Sequence, residues 1–183
     1  MEKRNGKEKE YDYNGKLIFE GEYLNGQRNG KVKEYNYYNG KLKFEGEYLK
    51  GKRNGKGKEY NYDGNLKFEG EYLNGERHGK GKEYDKNGNL EFEGEYLNGE
   101  RNGKGKEYYD NGKLKFEGEY LNGKRNGKGK VFDDNNELVF KGEYLNGKIL
   151  NGNGKVFDDN NELVFEGKYL DGNRWFGKGK EYD

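Results

Sequence analysis

The chain is predicted to be all-β: an elongated single-layer antiparallel meander of tandem hairpins, twisted into a rod. Three observations predict it. A pentapeptide returns at a fixed period, apolar and polar residues alternate in twos within each period, and Asn-Gly or Asp-Gly pairs separate the alternating runs.

The pentapeptide Phe-Glu-Gly-Glu-Tyr stands at 19–23, 44–48, 68–72, 92–96 and 116–120, then as Phe-Lys-Gly-Glu-Tyr at 140–144 and Phe-Glu-Gly-Lys-Tyr at 165–169, so the spacing is 24 or 25 residues. Such a period marks a repeat array, whose units bury apolar surface only by stacking on their neighbours. One domain is expected over 1–183: a half-repeat (1–16) and seven repeats, about 17–40, 41–64, 65–88, 89–112, 113–136, 137–161 and 162–183, with no linker between them.

Within a repeat the side-chain period is two. Leu42, Phe44, Gly46 and Tyr48 point one way, and Lys43, Glu45, Glu47 and Leu49 the other. The second strand, Gly55–Tyr60, alternates glycine with lysine. Helix is excluded by 33 evenly spread glycines, each costing roughly 1 kcal/mol inside a helix relative to Ala. Asn74-Gly75, Asn98-Gly99 and Asn122-Gly123 follow the first strand, and Asp63-Gly64, Asn87-Gly88 and Asn111-Gly112 the second, the pairs favoured in two-residue type I′ hairpins.

A two-residue loop at Asp63-Gly64 sets Tyr62 opposite Asn65, Glu59 opposite Phe68, Lys58 opposite Glu69, Gly57 opposite Gly70, Lys56 opposite Glu71 and Gly55 opposite Tyr72. Phe and Tyr rings then lie over bare glycine backbone on one face, and Lys meets Glu on the other, at about 0.2–1 kcal/mol per pair. The register across Leu49–Asn54 stays open: a slip of two residues changes partners but keeps every side chain on its face. Two strands per repeat at about 4.8 Å give a length of roughly 65–75 Å, with a strong twist because nothing packs on either face.

Composition narrows the function. The chain has 28% hydrophobic, 39% charged and 16% aromatic residues, so a thin aromatic core is expected. Ala, Cys, Pro, Ser and Thr are absent, which removes disulfides, thiolate metal sites and Ser, Thr or Cys nucleophiles. A net charge of +1 offers no field for nucleic acid. Residues 1–11 carry no apolar run resembling a leader, and nowhere do 18 apolar residues follow one another. A cytoplasmic protein, free or peripheral to membrane or cytoskeleton, is expected.

The run Phe68-Glu-Gly-Glu-Tyr-Leu-Asn-Gly-Glu-Arg-His-Gly-Lys-Gly-Lys-Glu-Tyr84 resembles the MORN (membrane occupation and recognition nexus) repeat, Tyr-Glu-Gly-Glu-aromatic-x-Asn-Gly-Lys-x-His-Gly-x-Gly. Half-repeats at Asn5–Tyr11 and Gly177–Tyr182 flank the tandem copies. Phe stands where the family pattern has Tyr, and 24 or 25 residues replace its usual 23, which is similar to a longer, bacterial-type variant. The resemblance implies a scaffold or docking rod, sometimes joined end to end into dimers, with a peptide or helix of a protein partner in an aromatic groove. Phosphoinositide binding is also implied, and the longer period adds a small bacterial immunity-type binding protein as a further alternative.

The expected partner-binding residues are therefore Phe19, Tyr23, Phe44, Tyr48, Phe68, Tyr72, Phe92, Tyr96, Phe116, Tyr120, Phe140, Tyr144, Phe165 and Tyr169. Their other role is simply the core. The last two repeats turn apolar: Ile149, Leu150, Trp175 and Phe176 fall in loops where other copies carry Arg and Asn, each loop one residue longer. They form an end cap or a self-association patch, giving a homodimer through the C-terminal end. Residues 130–140 and 155–165 are identical, a duplication within the array.

No cofactor, metal or catalytic residue is expected. His78 fills a slot held by Asn29, Asn54, Asn102 and Asn126 elsewhere and reads as a turn residue. Gly51–Gly57 is one residue short of a phosphate loop and lacks its Ser or Thr. The acidic run Asp133–Glu137 lacks the twelve-residue calcium loop. Glutamates recur opposite lysines in every copy, unlike an acid–base pair in a pocket, so an enzyme is not expected. Protein docking, with phospholipid as the rival partner, is the reading.

Overall fold

The computed structural model describes residues 3–157 and 162–179. They fall into two compact units, Met1–Glu100 and Arg101–Asp183. The first holds β1 (Gly6–Tyr11), β2 (Leu17–Leu24), β3 (Gln27–Tyr35), β4 (Leu42–Leu49), β5 (Lys52–Tyr60), β6 (Leu66–Leu73), β7 (Glu76–Tyr84) and β8 (Leu90–Leu97). The second holds β9 (Glu100–Tyr108), β10 (Leu114–Leu121), β11 (Lys124–Phe132), β12 (Leu138–Leu145), β13 (Lys148–Phe157), β14 (Leu163–Leu170) and β15 (Asn173–Gly179). Within each unit the strands lie in chain order and pair antiparallel. The all-β meander is as the periodicity predicts.

The turn after each first strand is the two-residue type. Asn74 and Gly75 have φ of 54° and 101°, and Lys50 and Gly51 have 50° and 81°, the doubly left-handed signature of type I′. Each turn is also tied to the previous hairpin: the Gly75 amide donates to the Arg53 carbonyl and the Gly99 amide to the Arg77 carbonyl, both at 2.9 Å.

The loops after the second strands correct the expectation. Asn61 N–H donates to the Asn65 carbonyl and Gly64 N–H to the Asn61 carbonyl, so the loop has three residues, a turn over 61–64 that ends on the left-handed Gly64. Tyr60 then faces Leu66, but a bulge at Lys67 restores Glu59 opposite Phe68 and every predicted pair down to Gly55 opposite Tyr72. The longer loop and the bulge cancel, which is why a wrong turn type led to the right register.

The open hairpin register is settled by a wider bulge. Leu49 pairs with Lys52 and Tyr48 with Arg53, yet Gly46 pairs with Gly57, so the second strand carries two extra residues. In β12–β13 and β14–β15 only one is extra: Leu150 and Trp175. Phe140 consequently faces Gly154 where Phe44 faces Glu59, a slip of two residues that leaves the faces unchanged. The two 25-residue spacings thus differ in kind. Near Asn39 the additional residue lengthens a loop, and at 150 it bulges a strand.

The core is one layer of rings on glycine. Phe19, Phe44, Phe68, Phe92 and Phe116 are 0% exposed. A side chain at Gly57 or Gly81 would fall 2.6 or 2.5 Å from the Cζ of Phe44 or Phe68, so the strand interior is bare where a ring lies over it. Edge-to-face contacts join the Phe and Tyr rings in a zigzag: Tyr48–Phe44–Tyr72–Phe68–Tyr96 in the first unit and Tyr120–Phe116–Tyr144–Phe140–Tyr169–Phe165 in the second, with centroids 5.2–6.0 Å apart. Such pairs contribute about 0.5–1.5 kcal/mol each beyond area burial.

Candidate functional site

The ring-bearing face is not open aromatic surface along its whole extent. The Phe side chains at 19, 44, 68, 92 and 116 are fully enclosed and Tyr23, Tyr48, Tyr72, Tyr96, Tyr120 and Tyr144 are 3–9% exposed, with Phe140 at 5%. Phe165 and Tyr169 are half-buried. What covers the rings is a layer of arginine and glutamate. Pairing sets Arg53 beside Tyr48 and Glu59 beside Phe44 and Phe68, all on the ring side.

Arg28, Arg53, Arg77 and Arg125 each lie over a ring, 3.8 Å from the Phe19 centroid, 4.0 Å from Phe44, 4.0 Å from Phe68 and 4.1 Å from Phe116. A guanidinium stacks on an aromatic face and is only weakly hydrated, so it suits a half-buried lid. Carboxylates link these arginines. Arg53 bridges Glu34 at 3.2 Å and Glu59 at 2.9 Å, and Arg77 bridges Glu59 at 2.8 Å and Glu83 at 2.6 Å. Tyr48 donates its hydroxyl to Glu34, Tyr23 to Glu10 and Tyr120 to Glu107.

The ladder shifts its members' protonation. Burial raises the Glu59 carboxyl, but the Arg77 and Arg53 guanidiniums overcome it and hold Glu59 below the usual carboxylate range; Glu107 is likewise lowered by Arg125 and Tyr120 against burial. Burial, then Glu59, pushes the Tyr72 phenol well up. These are charges locked in place, not groups poised to move protons.

The opposite face carries the predicted lysine–glutamate pairs, such as Lys58–Glu69 at 3.7 Å and Lys82–Glu93 at 3.9 Å. Tyr35, Tyr60 and Tyr84 donate to Glu20, Glu45 and Glu69 at 2.7 Å. Burial and these carboxylates push each of the three phenols up to about 12.

In the second unit the ladder stops. Arg125 holds Glu107, but the residue six positions on, Glu59 after Arg53 and Glu83 after Arg77, is Val131. Ile149 faces Tyr144 where Arg53 faces Tyr48, and Val156 repeats the change at the next Glu position. Val131, Phe140, Tyr144, Ile149, Val156 and Tyr169 line an open groove of about 800 Å³ with Arg125 at its side.

The four C-terminal residues expected to replace exposed Arg and Asn divide by position. Ile149 takes the arginine place, where Arg28, Arg53, Arg77 and Arg125 are half-buried over a ring. Leu150 and Trp175 are the bulge residues, half-buried and 70% exposed respectively. Phe176 stands opposite Lys168, as Asn29 stands opposite Glu22.

His78 faces Glu71 in that same Asn slot. Asp133 spends its carboxylate on the Asn135 and Glu137 amides at 2.9 and 2.8 Å, the geometry of a turn. Among the described residues no cluster of His, Asp or Glu forms a metal site and no helix is long and apolar enough to cross a membrane.

Face alternation alone does not announce the arginine–glutamate layer, although Glu59 opposite Phe68 already sets a carboxylate among the rings.

Two family models match the chain. One, described as MORN repeat, matches residues 44–66, 68–90 and 116–136, and one described as MORN repeat variant matches 4–25 and 101–122. Together they span more than half of it. No curated protein matches the sequence.

Proposed function

Since the chain belongs to the MORN repeat family, whose repeats generally act as non-catalytic scaffold motifs for proteins or membranes, we propose that it is a non-enzymatic scaffold binding a protein partner, a peptide or helix, on its ring-bearing face. The observation that carries this reading is the groove of the second unit, where the charged layer gives way to Val131, Ile149 and Val156 above the rings. Open apolar surface within a polar face marks an interaction site. Along the rest of the face the other Phe and Tyr side chains serve as a stiff floor, and the partner meets the arginines and glutamates above them.

A membrane partner is disfavoured by the pairing of Lys58 with Glu69 and of Lys82 with Glu93, because anionic lipid selects unpaired basic clusters. Trp175, 70% exposed, favours a second contact, self-association through the last hairpin.

Affinity purification of the full chain with a photocrosslinker in place of Ile149 or of Lys58, followed by mass spectrometry, tests the reading. A protein crosslinked from 149 and not from 58 is the expected result. Crosslinking from 58 alone, or recovery only of phosphoinositide vesicles at physiological salt, overturns it.

A further inference from the structure

The array displays, in its own intact copies, what the groove of the second unit lacks. Glu59 receives the Arg53 Nη1 at 2.9 Å and the Arg77 Nη2 at 2.8 Å, and Tyr72 lies against it. At the equivalent place in the second unit the side chain is Val131, short and apolar. Arg125 still arrives from one side, using Nε and Nη2 on Glu107 and lying against Tyr144, while its Nη1, which in Arg53 and Arg77 donates to the next carboxylate, has no carboxylate there. Tyr144 also arrives, 5% exposed, with Val131 where Tyr48 and Tyr120 find Glu34 and Glu107. The third contributor, the arginine at the Arg77 place, is Ile149.

Resting on the scaffold reading, we infer that this groove takes a segment of a partner protein in which an Asp or Glu side chain lies beside large apolar residues, its carboxylate seating between Arg125 Nη1 and the Tyr144 hydroxyl. Two complementarities select that occupant. A guanidinium nitrogen left without its carboxylate beside a low-dielectric groove recognises an oxyanion through charge-assisted hydrogen bonds. Val131, Ile149 and Val156 make the surroundings apolar, so the neighbours of that carboxylate must be apolar as well. A fully apolar segment would bury the guanidinium edge with only the neutral Tyr144 phenol beside it, and a basic one would meet like charge. Val131 leaves the room that a longer side chain in other copies takes up.

The test selects a displayed library of random short peptides against the full chain and titrates the recovered peptides against wild type and Val131→Glu. That substitution restores from within the carboxylate the groove lacks, so V131E should unfold at the same denaturant midpoint as wild type or a higher one. Recovered peptides should carry an acidic residue flanked by aliphatic or aromatic ones, bind V131E at least tenfold more weakly, and lose at least tenfold on wild type when their acidic residue becomes Gln or Asn. Peptides without an acidic residue, or equal binding to V131E, overturn the inference and leave the scaffold reading standing. Recovery of no peptide overturns the inference, and the scaffold reading then stands or falls on the crosslink from 149.

Discussion

The Phe44 ring lies so close on Gly57 that a β-carbon there would fall 2.6 Å from its Cζ. Gly57 is therefore not a flexible point but the space that the ring occupies. Gly57→Ala should destabilise the chain by about 1–3 kcal/mol, the usual cost of overpacking. Phe68→Ala, which empties the matching space over Gly81, should cost about 3–5 kcal/mol. Urea midpoints check both, and an unchanged midpoint for Gly57→Ala would remove the ring-on-glycine account.

Acid should loosen the arginine–glutamate layer. Glu59 and Glu107 are held below their ordinary value of 4.5 in the folded state. Their contribution is therefore present above the unfolded carboxylate range and disappears as pH falls through the lowered folded values. Stability measured from neutral pH downward should decline below about pH 4.5, and Glu59→Gln should flatten part of that decline. A decline of the same size in Glu59→Gln would show that Glu59 is not one of the groups responsible.

At the alkaline end the sign reverses. Tyr35, Tyr60 and Tyr84 are pushed up to about 12, so their contribution is complete below the ordinary tyrosine value near 10 and is lost as pH rises through 12. Ultraviolet titration should show a late-ionising group of phenols whose loss coincides with unfolding. Tyr60→Phe should remove one member of it.

Trp175 is the sole tryptophan, which makes its environment directly visible. If the last hairpin self-associates, the emission should shift to the blue as concentration rises, and Trp175→Ala should return the light-scattering mass to that of a monomer. A monomer mass for both proteins at every concentration removes self-association.

Much of this fold was legible because a period of two and a period of 24 reinforce one another. Any residue whose face is known in one copy is known in all, so Glu59 opposite Phe68 and Lys58 opposite Glu69 could be read without coordinates. Asn-Gly at 74–75 announced its turn because both residues accept positive φ. Asp63-Gly64 misled because a left-handed glycine also closes a three-residue loop, and pair identity alone does not distinguish the two. The extra residues Leu150 and Trp175 were visible, but a count cannot say whether a loop or a strand absorbs them; hydrogen bonding decided for the strand. The candidate site was half legible. Apolar substitutions at 149–150 and 175–176 mark the end of the array in the sequence, whereas Val131 and Val156 carry meaning only because the glutamates they replace clasp arginines over rings.

The amide of Gly75 answers the carbonyl of Arg53, and that of Gly99 answers Arg77, so every hairpin arrives with the donor its predecessor awaits. Copy number is thereby free to vary: a gene that gains or sheds one whole period inserts or removes a unit whose two neighbours already present the matching groups, and recodes no contact elsewhere. The identical runs 130–140 and 155–165 each carry Val at the place of Glu59, the pattern left when a copy that has already lost its glutamate is itself repeated.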